Sequence, residues 1–280
     1  MKQTIKELLI FTILVISFFY ISSYNNYISN QIIYSVNIWL TKIVPTLFPT
    51  FILVDVIYAS NIPKFLENKL HINYIYILSI ISGSPSNSYI LNNYNIELTK
   101  LLSTTQYTSL VFTFTYLTNI FNKTQAIIII ILNILTNIIL IIFLKPPKIT
   151  YINQTNSYIN TILKSINKSI LTLINILGTI IFFNILPINL IQNNYLKSFL
   201  LSILEITSSL TNLSIINIPF NFKIILTCIS LSTCGLCIFC QIKSIVNNQK
   251  CNYQKYLKYR LLHLTLFTIL CLLTFNLLLN

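Results

Sequence analysis

The sequence predicts an all-α, polytopic helical membrane protein of about seven to eight hydrophobic segments, arranged as two related halves with broken or re-entrant helices. Three observations point there. Charged residues make up 8% of the chain against 55% hydrophobic, with a mean hydropathy of +0.75, whereas a soluble domain carries about a quarter charged residues. The basic residues fall mainly at the ends of apolar runs, as befits loops held at a negatively charged cytoplasmic surface. Between two apolar stretches lies the polar run Ile81-Ser82-Gly83-Ser84-Pro85-Ser86-Asn87-Ser88-Tyr89, which a helix cannot accommodate.

That run organises the reading. In hydrocarbon every backbone N–H and C=O must be bonded internally, so such a stretch survives at membrane depth only inside protein or beside a wet cavity. Pro85 has no N–H and pushes Ser84 out of the helical region. Two readings fit: an aqueous loop between helices, or the tip of a re-entrant hairpin. In the second, freed backbone groups and the side chains of Ser82, Ser86 and Asn87 contact a polar solute.

Composition also excludes functions. A net charge of +13 is distributed over span ends, leaving no basic domain to hold nucleic acid. The partners expected are the lipid bilayer and a small solute. Three glycines, Gly83, Gly178 and Gly235, stand far apart, which rules out a Gly-x-Ser-x-Gly elbow, a dinucleotide fingerprint and a P-loop. Two histidines and no His-Glu-x-x-His leave little for an intramembrane enzyme. Cys234-x-x-Cys237-x-x-Cys240 reads as a stripe of small side chains for close helix packing, not as a metal site. No enzyme activity, metal or cofactor is expected.

Taken in order, residues 1–31 comprise an uncleaved helix from about Leu8 to Ile21 and a loop, Ser22 to Gln31, that lacks Lys and Arg and suits the outside. The run from Ile32 to Ser60 exceeds the roughly twenty residues of one crossing. It contains Pro45 and Pro49, which each free a carbonyl and predict a kinked or broken helix. Asp55 follows; an acid at membrane depth faces the bundle interior or rises to the headgroups. Ile72 to Ile81 is too short to cross, and Glu97 and Lys100 come soon after the polar run, which favours a hairpin entering and leaving on one side. Leu101 to Phe121 is a hydroxyl-rich span and Thr124 to Leu144 a clean crossing. Residues 32–144 thus form a first half, and 145–168, with four lysines and no acid, a cytoplasmic linker.

The second half, 169–280, opens with Ser169 to Ile191. Phe199 to Leu213 carries Glu205 mid-run, and Phe222 to Ile242 carries Gly235 and Gln241. One of these two fails to cross, and charge counting does not choose between them. Lys243 to Arg260 is basic, hence cytoplasmic, and Leu261 to Leu279 is the last helix. A short internal echo, residues 45–53 laid over 178–186, supports two related halves in which broken helices meet at the midplane and offer their N-termini to an anion.

Four stretches carry a family resemblance. Val44-Pro45-Thr46-Leu47-Phe48-Pro49-Thr50-Phe51-Ile52-Leu53, then Ile81 to Ser86, then Leu204-Glu205-Ile206-Thr207, then Gly235-Leu236 with Gln241, resemble in order and spacing the sporulation integral membrane protein YlbJ group. That group lies within the nucleoside-recognition (Gate) membrane proteins and includes stage V sporulation protein V-like chains. The resemblance covers residues 32–275. It implies two gate-like halves and transport of a small anionic solute, dipicolinic acid, out of the mother cell across the outer forespore membrane. It also implies sporulation membrane proteins or further copies of the chain as partners. A nucleoside-type transporter and a non-transporting scaffold are the alternatives. The matching residues are Pro45, Pro49, Gly83, Pro85, Glu205, Thr207, Gly235 and Gln241. The group's Gly-Tyr-Pro-x-Gly-Ala-Lys appears here as Gly83 to Tyr89 without the second glycine or the lysine, and its glutamate after the prolines is matched only by Asp55. The expected solute-binding set is therefore Ser82, Gly83, Pro85, Ser86, Asn87, Asp55, Glu205, Thr207, Gly235 and Gln241.

Overall fold

A computed structural model describes residues 2–60, 62–70, 73–92, 94–149, 158–246 and 250–279. These are helical throughout, with no strand among them. Among the described residues, five helices are long and apolar enough to cross a membrane: Asn25–Ala59, Lys123–Leu144, Tyr158–Asn184, Phe220–Ile245 and Tyr253–Leu277. Leucine, isoleucine and phenylalanine side chains stand exposed around them, among them Leu53, Phe143, Leu171 and Phe182, as a lipid-facing surface requires.

The N-terminal helix α1 (Lys2–Ser23) is followed almost at once by α2 (Asn25–Ile38). The loop expected over 22–31 reduces to Tyr24, because nothing in Tyr24-Asn25-Asn26-Tyr27 carries the φ constraint that a glycine or proline would impose. A π-helical turn, Trp39–Ile43, joins α2 to α3 (Val44–Ala59). Here the expectation of a break at Pro45 and Pro49 is corrected. The two prolines are exposed within one 35-residue helix. The wider turn takes up the missing donor at Pro45, and the Thr46 and Thr50 hydroxyls bond carbonyls one turn back: Thr46 Oγ1 lies 2.8 Å from the Lys42 oxygen, and Thr50 Oγ1 lies 2.9 Å from that of Leu47.

After α4 (Ile62–Leu70), α5 (Tyr74–Ser82) and α6 (Ser86–Asn92) pack against each other on either side of Gly83–Pro85. The segment expected as one span over 101–121 is divided into α7 (Thr99–Thr104) and α8 (Leu110–Ile120) by the non-helical stretch 105–109. A reciprocal cap starts α9 (Lys123–Leu144): Asn122 Oδ1 accepts from the Gln125 amide at 2.8 Å, and Gln125 Oε1 accepts from the Asn122 amide at 3.2 Å. The helix α10 begins at Tyr158 and ends at Asn184, so the linker expected over 145–168 is helical at its end, while its residues 150–157 lie outside the described ones.

α11 (Asn194–Leu204) and α12 (Ile206–Ile215) pack side by side about Glu205, and α13 (Phe220–Thr233) passes into α14 (Gly235–Ile245) through an interruption at Cys234. Of the two segments left open by charge, 220–245 is the one long enough to cross. Cys234 lies in the interruption, so only Cys237 and Cys240 share a helix. The last helix, α15 (Tyr253–Leu279), packs on α13, α9 and α7, and α10 packs on α3 and α2.

Two sets of contacts define the two ends of the molecule. At one, Lys250 Nζ donates to the Asn92 carbonyl (2.7 Å) and the Asn252 amide to Thr99 Oγ1 (2.8 Å). The open ends of α5–α6 and the loop before α15 therefore lie together. At the other, the Phe220 ring meets Phe121 at 5.8 Å and Phe275 at 5.6 Å, and Tyr195 meets Phe222 at 5.3 Å. The α11–α12 pair thus opens toward the end opposite to that of α5–α6.

Candidate functional site

Both paired-helix tips and both interruptions meet at the centre, where several freed backbone groups are bonded across from one element to another. The Ser84 amide donates to the Tyr107 carbonyl at 2.7 Å, and Asn87 Nδ2 donates to the Thr105 carbonyl at 2.7 Å. The first tip thus satisfies the first interruption. Gln106 reaches across to the second, its Nε2 donating to the Thr233 carbonyl at 3.0 Å, and the Tyr256 hydroxyl donates to Gln106 Oε1. Arg260, on α15 and buried, joins the two carbonyl ends. Its Nη1 donates to Ser103 O (2.8 Å), and its Nε and Nη2 donate to Ser232 O (2.8 and 2.5 Å). One guanidinium fork therefore holds the ends of α7 and α13, where helix carbonyls carry partial negative charge.

Glycines make the two closest approaches. Gly83 has φ +70 and ψ 177, a region that is essentially glycine-only. A Cβ there would overlap the Ser109 amide nitrogen and lie 2.9 Å from the Thr108 carbonyl carbon. Gly235 has φ +76, and a Cβ on it would lie 2.9 Å from the Leu204 carbonyl oxygen. Each tip is thus seated against the interruption that follows it in sequence.

Between the four breaks lies a small cavity, with about 40 Å³ open to the centre of a water-sized sphere, room for a few waters. Ser84 and Pro85 come from the first tip, Thr108 and Ser109 from the first interruption, Glu205 and Thr207 from the second tip, and Cys237 and Gln241 from beyond the second interruption. Leu47, Phe112, Ile176 and Ile238 close it with apolar walls. No family model, curated protein or solved structure matches this chain. Its site therefore rests on its own geometry.

Glu205 is 2% exposed and ends α11 while capping α12. Its Oε1 accepts from the Thr207 amide at 2.9 Å and its Oε2 from the Ser208 amide at 2.6 Å. Both oxygens thus accept from the first turn of α12, where the helix N-terminus favours negative charge. The Ser208 hydroxyl donates to Asn184 Oδ1 (2.6 Å), and Asn184 Nδ2 donates to Ser35 Oγ (2.9 Å), so the second tip is anchored to α10 and α2. Gln241 Nε2 donates to Thr179 Oγ1 at 2.6 Å.

Of the residues expected in a solute site, Pro85, Glu205, Thr207 and Gln241 line the cavity. Gly83, Gly235 and Asn87 build its joints. Ser82 and Ser86 are buried behind the tip, and the Ser82 hydroxyl bonds its own helix at the Leu78 carbonyl. Asp55 stands apart: its carboxylate pairs with Lys168 (3.0 Å) and accepts from Ser165 Oγ (2.9 Å), tying α3 to α10. With Lys168 partly exposed the pair is screened, so Asp55→Asn is expected to cost about 1 kcal/mol or less and to leave the cavity unchanged. Chemical unfolding of the variant and its ligand binding check the two halves of that expectation. Thr108, Ser109 and Cys237 also line it, although they stand outside the expected binding set. The signal for the first two was present, since Ser103 to Ser109 is an unbroken polar stretch inside an apolar span.

Proposed function

We propose that this chain is a membrane transporter that binds a small solute in the central cavity and releases it to either side as the tips move. The observation that carries this reading is the cavity itself, lined from both tips and from both segments that carry the interruptions. A packing device needs such breaks sealed; a carrier needs them around a space. On this reading α5–α6 and α11–α12 are re-entrant hairpins, entering from opposite faces, and the two halves are inverted repeats of a common plan. The likeness to the YlbJ group supplies the biological setting, a bacterial spore-former's outer forespore membrane, and implies dipicolinic acid as solute, an implication that the charge of the cavity puts to the test.

Orientation follows from charge. Lys64, Lys69, Lys100, Lys145, Lys148, Lys243 and Lys250 belong to the end where α5–α6 opens, whereas Lys123, Lys197 and Lys223 belong to the other. The positive-inside rule puts the first end in the cytoplasm. Single cysteines at 148 and 252 in a cysteine-free chain should therefore label from the cytoplasm, and one at 123 from outside. Labelling of 148 and 123 from the same face would overturn the inverted arrangement.

Transport is tested with the purified chain in proteoliposomes, together with a cysteine at 84 in the cysteine-free background. Solute flux and protection of that cysteine from a small thiol reagent by the same solute are the expected pair of results. Free reaction of residue 84 with a bulky impermeant reagent, unchanged by any solute, would show a surface loop and leave the chain a scaffold.

A further inference from the structure

The charge of the cavity narrows the solute. Gln241 is buried at 5% exposure, and its Oε1 has no hydrogen-bond partner. The orientation of the amide is set by its neighbour. The Thr179 hydroxyl sits 2.9 Å from the Ile176 carbonyl and 3.1 Å from that of Asn175, so its proton is committed to its own helix. Its oxygen can only accept, which obliges Gln241 to present its NH₂ to Thr179 and leaves Oε1 uncommitted. Glu205 supplies the second acceptor. Each of its oxygens takes one N–H from the start of α12, and a carboxylate has lone pairs for about four. The positive end of α12, which a bound anion would otherwise use, is thus already taken by a side chain of the protein.

Nothing cationic balances that carboxylate in the cavity. Neither lysine nor arginine lines it; Lys168 is paired with Asp55, and the Arg260 guanidinium is spent on Ser103 and Ser232. Resting on the reading of this cavity as the solute site, we infer that it takes a solute presenting N–H donors or positive charge and rejects free carboxylates. Glu205 and Gln241 Oε1 are the two acceptors that such a group meets. A carboxylate brought within a few ångströms of Glu205, in a site walled by Leu47, Phe112 and Ile176, meets like-charge repulsion with little water to screen it.

Three probes of one shape separate the possibilities: pyridine-2,6-dicarboxylate, pyridine-2,6-dicarboxamide and 2,6-bis(aminomethyl)pyridine. Each is larger than the resting cavity, so binding draws the tips apart as the transport reading requires, and it is measured to the full chain in nanodiscs at neutral pH. The diamide and the diamine should bind at least about tenfold more tightly than the dicarboxylate. Glu205→Gln should shrink the gap between diamide and dicarboxylate to about threefold or less, since it keeps the shape and removes the charge. Gln241→Leu should weaken the diamide and leave the weak dicarboxylate where it was. Binding led by the dicarboxylate in the unsubstituted chain would overturn the charge class while leaving the site intact. Binding of none of the three, or binding indifferent to both substitutions, would remove the cavity as the solute site and the inference with it.

Discussion

Gly83→Ala is expected to abolish solute binding and to lower the stability of the chain by several kcal/mol while leaving membrane insertion intact. The left-handed, extended backbone at Gly83 costs about 1–3 kcal/mol for any residue with a Cβ. The methyl would also be driven into the backbone at Thr108 and Ser109, which cannot rotate away as a side chain can, adding about 1–3 kcal/mol of overpacking. Relief requires the first tip to withdraw, which breaks the Ser84–Tyr107 hydrogen bond and opens one wall of the cavity. Thermal unfolding in detergent and probe binding should both respond. Gly178→Ala is the control: nothing lies within 4 Å of a Cβ there, so the change should be neutral or, from helix propensity, stabilising by up to about 1 kcal/mol. Equal behaviour of the two variants would refute the tip geometry.

Arg260→Met should cost about 2–6 kcal/mol, because it strips the donor from two buried carbonyls at once and each orphaned acceptor costs about 1–3 kcal/mol. The side chain is 2% exposed and reaches α7, α13 and Asn137 on α9, so water cannot replace it. Arg260→Lys keeps the charge but not the fork, and should recover less than half of the loss. The diagnostic readout is not stability alone. With α7 and α13 no longer held to α15, amide hydrogen exchange should rise at both interruptions, 105–109 and 233–235, although they are far apart in sequence. Exchange confined to α15 would show that Arg260 only fills space.

Much of this architecture could be read from the chain, and the reasons are local. Gly83 and Pro85 announce a break because each imposes its own backbone constraint, and Glu205 stands out as an acid in an apolar run. The interruption at 105–109 contains neither glycine nor proline. It exists because Ser84 and Asn87 bond its carbonyls from the first tip, and a hydroxyl-rich stretch looks the same whether its side chains bond their own helix or line a gap. Asp55 was legible as an unusual acid but not as a paired one, since its partner Lys168 lies 113 residues on. Pro45 and Pro49 misled for the opposite reason. Their donors are missing, but a widened turn and two threonines absorb the loss without ending the helix.

The two glycine joints have an evolutionary consequence. A protein rich in Ile, Asn, Lys and Tyr is what AT-rich coding produces, and glycine codons, which begin with two G bases, are among the first that such drift erodes. Serine, asparagine and cysteine stand at several other positions around these tips, and Cys234 even holds φ +55 without being glycine. At Gly83 and Gly235, where a Cβ would strike another segment's backbone, drift meets a steric wall. Base composition can rewrite nearly everything else in such a chain before it can rewrite those two codons.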